Sequence, residues 1–341
     1  MTPTLHDVAR LAGVSIKTVS NVINHHPNVR PATRERVELA IAELGYTPNL
    51  TARNLRSGRT GAFALAVPDL GLSYFAELAA TIIQEAESRG VGVLVEQTGG
   101  DREREIELLR SPRRGLTDGL IFSPLGMGQE DVAHLDVSYP LVLLGERIFD
   151  GPSDHVTMQN VEAARAATEY LLEQGRRRIA VVGAHAGEVI GSAGLRLAGY
   201  RAALDAAGID YDDDLVGYTT MWHRANGAET MRELLDRGVA FDAVFGLNDT
   251  LALGAMRALQ ESGLRVPDDV WVVGFDDLDE AQYSIPSLAT IDPGQDWIAR
   301  TAVETLLARI EVPGEQGPAR RLLADFRLVR RESAPGDAPR D

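Results

Sequence analysis

Leu5-His6-Asp7-Val8-Ala9-Arg10-Leu11-Ala12-Gly13-Val14-Ser15-Ile16-Lys17-Thr18-Val19-Ser20-Asn21-Val22-Ile23-Asn24 has the pattern of two short helices joined by a tight turn. Val8, Ala9 and Ala12 fall at the i, i+1, i+4 spacing of one helix face, and Val19, Val22 and Ile23 form a second such face after the break at Gly13. The two faces can share a small core. Gly13 permits the turn, Ser15 caps the second helix, and the small Ala9 and Ala12 allow close helix approach. Ile16, Lys17, Ser20 and Asn21 remain on the outer side and early turns of the second helix, the positions that reach base edges when such a helix enters a major groove. The pattern is that of a DNA-reading device.

Working outward, a third helix is expected from Pro31 or Ala32 to about Leu44, its face made by Val37, Ala40, Ile41 and Leu44 and its end set by Gly45. Asn49 to Gly58 then contains helix-forming residues with almost no apolar face, so it is marginal as an isolated helix. Charge divides at the same place. Residues 1–60 carry eight basic against four acidic side chains, net +4, which leaves −20 on the rest of a chain whose total is −16. A basic head on an acidic body fits a module that meets phosphates joined to one that does not.

The run D-V-A-x-x-A-G-V-S-x-x-T-V-S-x-V-I-N, from Asp7 to Asn24, resembles the signature of the lac-repressor (LacI/GalR) family of transcription regulators. The resemblance implies DNA contacts from Thr4, Ser15, Ile16, Lys17, Thr18, Ser20, Asn21 and Asn24. It also implies that residues 49–60 are a hinge helix that folds on DNA and pairs with its copy in a second subunit. Leu55, with Ala52 and Arg56 beside it, falls where the family pushes a leucine into the minor groove. Such a wedge unstacks a base step and kinks the duplex. A linker leucine packed on the body is the plainer alternative.

At 341 residues the chain suits a short module plus a large one. It has no Cys, which excludes disulfides, thiolate metal sites and cysteine nucleophiles. From Gly61 onward short apolar strands alternate with amphipathic helices. Phe63 to Val67, Val91 to Val95, Gly119 to Phe122, Leu141 to Leu144, Ile179 to Val182, Leu215 to Tyr218, Ala243 to Phe245 and Val270 to Val273 read as strands. The fold class expected is therefore an all-α helix-turn-helix domain (1–48), a hinge (49–60) and an α/β body (61–331) of two parallel-sheet subdomains. The resemblance makes that body periplasmic-binding-protein-like. Its N-subdomain covers about 62–160 plus a segment after 290, its C-subdomain about 161–290 plus the C-terminal segment, and residues 332–341 read as a disordered tail.

Ligands of such sheets bind at the carboxyl ends of strands. The polar and aromatic residues there are Tyr74, Phe75, Ser123, Glu146, Ser192, Arg196, Trp222, Asn248, Asp249, Asp276 and Asp277. Asp and Asn can accept from and donate to adjacent hydroxyls, Arg donates through a fixed fork, and aromatic rings cover the apolar face of a pyranose. The resemblance puts Arg196, Asn248 and Asp276 where sugar-responsive members hold their effector, and Tyr74, Phe75 and Trp222 at its aromatic positions. Two departures matter. Gly145 replaces an effector-binding aspartate, leaving Glu146 as a stand-in, and Ile190 replaces an arginine of the purine-responsive member. Both weigh against a purine. The plainer alternatives are a turn cap for Asp276 and a carboxylate partner for Arg196.

An enzyme reading would rest on the acid pair of Gly274-Phe275-Asp276-Asp277 alone, without a G-x-S-x-G elbow, a phosphate loop or a Rossmann fingerprint. A solute-binding protein needs export, and the N-terminus carries no signal-peptide pattern. No metal-ligand His pair and no cofactor motif is present in the sequence. The expectation is a cytoplasmic, nucleoid-associated homodimeric regulator, most simply a repressor of carbohydrate-use genes, with palindromic operator DNA and a mono- or disaccharide as partners. A purine or sugar phosphate is the alternative effector. A dimer is expected because the tail after Arg331 lacks a leucine heptad.

Overall fold

The computed structural model describes residues 3–23, 26–46, 59–111, 115–312 and 317–336, which fall into two compact units, Met1–Gly61 and Ala62–Asp341. In the first unit, α1 (Leu5–Ala12), α2 (Ile16–Ile23) and α3 (Pro31–Leu44) enclose Val8, Ala9, Ala12, Val19, Val22, Val37, Ala40 and Tyr46. Thr4 caps α1 in a reciprocal box with Asp7, whose carboxylate accepts from Thr4 N at 3.0 Å. Gly13 ends α1 with φ +64°, and Ser15 Oγ then accepts from Thr18 N at 3.1 Å to start α2. The expected third helix ends at Gly45, φ +58°.

The second unit contains two parallel sheets. The larger has the order β11-β5-β4-β3-β1-β2, made of β1 (Ala62–Val67), β2 (Gly92–Gln97), β3 (Leu120–Phe122), β4 (Leu141–Leu144), β5 (Asp154–Met158) and β11 (Arg321–Ala324). Helices α4 (Ser73–Ser88), α5 (Arg102–Arg110) and α11 (Gln295–Glu311) belong to this N-subdomain. The smaller sheet has the order β7-β6-β8-β9, from β6 (Ile179–Ala184), β7 (Val216–Tyr218), β8 (Ala243–Gly246) and β9 (Trp271–Val273). It carries α6 (Asn160–Glu173), α7 (Ser192–Ala206), α8 (Arg224–Asp236), α9 (Asp249–Glu261) and the short α10 (Asp279–Tyr283). An antiparallel ribbon pairs β10 (Thr290–Asp292) with β12 (Arg327–Val329). The central strands are buried on both faces, which is why they are continuous apolar runs.

The backbone passes between subdomains three times: after β5, after β10 and after β11. After β10 the chain returns to the first subdomain through α11. Four strands, β5, β10, β11 and β12, carry no apolar run of four or more residues and escape a local reading. β5 is buried throughout although it contains Asp154, His155 and Thr157. Asp154 is held by Arg309 at 2.8 Å and Arg320 at 3.2 Å; burial opposes its ionisation, yet these hydrogen bonds lower its pKa to about 2.

The expectation of disorder from residue 332 is corrected for 332–336. Ser333 Oγ donates to Val272 O at 2.7 Å and accepts from Ala289 N at 2.8 Å, while Ala334 O accepts from Tyr170 Oη at 2.7 Å. Ser333 and Ala334 are fully buried, because they complete the backbone hydrogen bonding beside β9. Residues 337–341 lie outside the described part.

Candidate effector cleft and DNA-reading helices

Strand ends from both sheets converge on one cavity of ≈ 310 Å³. Tyr74 and Phe75 come from the start of α4, Ser123 from the end of β3, Glu146 from beyond β4, and Thr157 and Met158 from β5. The C-subdomain supplies Ser192 and Arg196 from α7, Trp222 from the loop after β7, Asn248 from the cap of α9, and Asp276 from the turn after β9. Nine of the eleven strand-end residues read from sequence line the same cavity.

Arg196 is the structural centre of the C-terminal wall. Only 3% exposed, it donates through Nε to Asn160 Oδ1 at 2.8 Å and through Nη1 to Leu247 O at 2.5 Å, and its Nη2 lies 3.3 Å from Asp276 Oδ1. Its guanidinium carbon stacks 3.6 Å from the Phe275 ring centroid and 5.4 Å from that of Trp222. The fork expected to face a ligand is thus largely occupied by the protein, with Asp276 as its carboxylate partner, and Arg196 lines the cavity. Trp222 is fixed by Nε1 donating to Gly183 O at 2.9 Å and by His185, whose ring centroid is 5.6 Å away.

Asp276 adopts φ +117°, a backbone region that non-glycine residues rarely occupy. Its Oδ1 is buried and makes no hydrogen bond of acceptable geometry, despite the proximity of Arg196. Burial raises its pKa to about 7; Arg196 opposes the shift and Glu146 adds to it. Burial likewise pushes the Tyr74 hydroxyl far up. Asn248 caps α9, its Oδ1 accepting from Leu251 N at 2.8 Å. Asp249 and Asp277, read from sequence among the strand-end groups, do not line the cavity. Asp249 is fully buried and accepts from Thr290 Oγ1 and Leu278 N at 2.5 and 2.9 Å, and Asp277 pairs with Arg331 at 2.6 Å.

Contacts cross the cleft directly. Glu146 Oε2 accepts from Ser192 Oγ at 2.7 Å, with Oε1 accepting from Thr157 Oγ1 at 3.3 Å. Arg147 Nη1 donates to Ile190 O at 3.1 Å and lies 3.5 Å from Glu188, which also pairs with His185 at 2.8 Å. At the opposite side Ser73 Oγ donates to Glu280 at 3.1 Å, Asp279 N donates to Glu77 at 3.2 Å, and His223 lies 3.6 Å from Asp69. Arg224 also pairs with Glu280. In the first unit, Lys17 and Ser15 are exposed, while Ser20 and Asn21 are half-buried. Ile16 is half-buried against the small core, and Thr18 Oγ1 is 2.8 Å from Ser15 Oγ. Asn24, Ala52, Leu55 and Arg56 lie outside the described residues.

Two family models match the chain: "Bacterial regulatory proteins, lacI family" over residues 4–49 and "Periplasmic binding protein-like domain" over residues 168–334. The HTH-type transcriptional regulator CelR of Thermobifida fusca is 39% identical over 97% of this chain and 98% of its own length. The chain belongs to the LacI family. Among solved structures, a CelR–cellobiose complex is 35% identical, covering 97% of this chain and 100% of that one at a TM-score of 0.70. The lac repressor dimer bound to operator and the anti-inducer ONPF is 30% identical, covering 98% and 99%, at a TM-score of 0.81. This LacI-family chain is a DNA-binding transcriptional regulator, and its relatives are regulators rather than enzymes.

For a LacI-family cleft, sequence reasoning missed the cross-cleft set: Arg147, His185, Glu188, His223 and Asp69. It also missed Glu105, a fully buried carboxylate that accepts from Leu125, Gly126 and Met127 N at 2.9, 3.1 and 2.7 Å and so shapes the loop after Ser123. The adjacency of Glu146 and Arg147 is the one local signal for the latch. Among the described residues, no helix is long and apolar enough to cross a membrane.

Proposed function

We propose that this protein is a cytoplasmic, nucleoid-associated repressor of carbohydrate-use genes, binding palindromic operator DNA as a homodimer and answering to a sugar of one or two rings in the cleft. The observation that carries this reading is one cavity in which Tyr74, Phe75 and Trp222 offer aromatic surface beside Arg196, Asn248, Asp276 and Glu146. Apolar faces with a few convergent polar groups suit a pyranose. A cavity of ≈ 310 Å³ lies at the small end of the ligand-pocket range, about 300–1,000 Å³. The similarity to a regulator solved with cellobiose supports a sugar. Each head reads one half-site through Ile16, Lys17 and Asn21, with Thr4, Ser15, Thr18, Ser20 and Asn24 at its edges, while Leu55, flanked by Ala52 and Arg56, wedges the operator centre. A shift of a few kcal/mol in the hinge equilibrium is enough to change operator occupancy.

The test is thermal unfolding of the full chain against mono- and disaccharides, sugar phosphates and purines, followed by operator gel shift with each hit. A concentration-dependent rise in midpoint with a sugar, together with altered operator affinity, is the expected result. A rise with purines alone would overturn the sugar reading.

A further inference from the structure

Of the 34 basic side chains in the sequence, 33 are arginine and one, Lys17, is lysine. The two cations differ in chemistry. An arginine guanidinium stays protonated in proteins, whereas a lysine amine can be acylated, and acylation removes its charge. Side-chain amine chemistry is therefore available at a single place, and that place is the DNA-reading helix. Lys17 is exposed and is the second residue of α2. Its neighbours three and four positions away, Gly13, Val14, Ser20 and Asn21, are all uncharged, and its amine forms no ion pair or hydrogen bond among the described residues. Other cations of the head serve the fold: Arg10 pairs with Asp7 at 3.2 Å, and Arg34 donates to His26 O at 2.9 Å. The first turn of α2 holds no acid, and a positive charge there opposes the helix dipole. Residues 1–60 carry a net charge of +4, so neutralising one amine removes a quarter of it. The charge of Lys17 is one that DNA can use and the fold does not.

We propose that Lys17 is an acylation switch for operator binding, taking an acetyl group from an activated donor, an acyl phosphate or a coenzyme A thioester. This rests on the placement of Lys17 at the operator in the reading above. The unprotonated Nζ attacks the acyl carbonyl carbon. The N–C bond forms, the C–O bond to phosphate or the C–S bond to the thiolate breaks, the leaving group keeps the electron pair, and the amine proton passes to water. The product is a neutral amide that neither neutralises a phosphate nor donates to a base edge as an ammonium. Because the same side chain faces DNA in the complex, acylation and operator occupancy exclude one another. A bound regulator is protected, and a released one is open to modification.

The test uses the full chain and a palindromic duplex selected with it from a random pool. The protein is treated with acetyl phosphate or, separately, with acetyl coenzyme A. Peptide mapping by mass spectrometry reads Lys17 and the α-amino group, gel shift reads affinity for the selected duplex, and hydrogen exchange over residues 5–23 reads the fold. The expected result is acetylation of Lys17, slowed by the selected duplex, with operator affinity falling roughly tenfold or more. The slope of log K against log salt should shrink by about 0.9, with exchange no faster than before. The donor that works identifies the source. Lys17→Gln should resemble the acetylated protein, and Lys17→Arg should show the same affinity with and without treatment. Lys17 left unmodified by both donors, or protected by DNA but modified with affinity kept within twofold, overturns the switch alone. An equal loss in treated Lys17→Arg places the effect on another amine, and faster exchange makes it a folding defect; either overturns it too. A duplex that binds yet leaves Lys17 as reactive as in the free protein takes Lys17 off the operator, and the reading falls together with the switch.

Discussion

Asp276 links effector binding to pH. With 4% exposure it has little further water to lose on binding, so a ligand hydroxyl donating to it favours the carboxylate and pulls its pKa below about 7. Binding then releases a proton. Sugar affinity is expected to rise with pH from 6 to 8, by about tenfold per unit at most below 7, and to level off above it; Asp276→Asn should flatten the profile. Titrations at several pH values in buffers of different ionisation enthalpy measure both the affinity and the proton, and a wild-type profile that falls with pH would reverse the sign argued here. Arg196 teaches a different lesson about single residues. Its nitrogens serve Asn160, Leu247 and Asp276 before any ligand arrives, so its removal would strip partners from a buried carboxylate and a buried amide as well as from an effector.

Elements differ in how much of them a sequence reveals, and the difference is one of range. The head was legible because its determinants are local: a face at helical spacing, the Ser15 cap, and Gly13 at φ +64°. A Cβ at Gly13 would meet nothing within 4 Å, so Gly13→Ala isolates backbone strain. That strain is about 1–2 kcal/mol for a left-handed L-residue, and hydrogen exchange over residues 5–23 should accelerate roughly 5- to 30-fold. Unchanged exchange would show that the turn relaxes by another route. The buried strands were legible as apolar runs, whereas β5 was not, since its burial depends on Arg309 and Arg320, 155 and 166 residues away from Asp154. The tail misled for the same reason. Its Ala-Pro-Gly composition reads as disorder, but Ser333 meets partners 44 and 61 residues back in the chain. Strand ends name the cavity's walls; the cross-cleft latch stays hidden until the two walls are placed together.

At the scale of the molecule, several polar bridges cross the described cleft. Arg147→Ala removes the link to Ile190 O and Glu188. Glu188 keeps His185 and Gly194 N, so the loss is confined to closure. The variant should spend more time open, with sugar affinity lowered roughly in proportion to the closed fraction lost, a few-fold for a contact of about 1 kcal/mol. Small-angle scattering with and without sugar, beside the titration, checks it; equal affinity and equal radius of gyration would remove Arg147 from the latch. The threefold passage of the backbone between subdomains bears on how such a protein is made. The strand β11 that completes the first sheet leaves the ribosome long after its neighbour β5, with Asp154 waiting for Arg320 166 residues later, and the second sheet waits for Ser333. The head, built from local contacts, is free to fold as soon as it emerges. During synthesis the chain therefore acquires its DNA-reading helices well before it acquires a cleft with which to be told to let go.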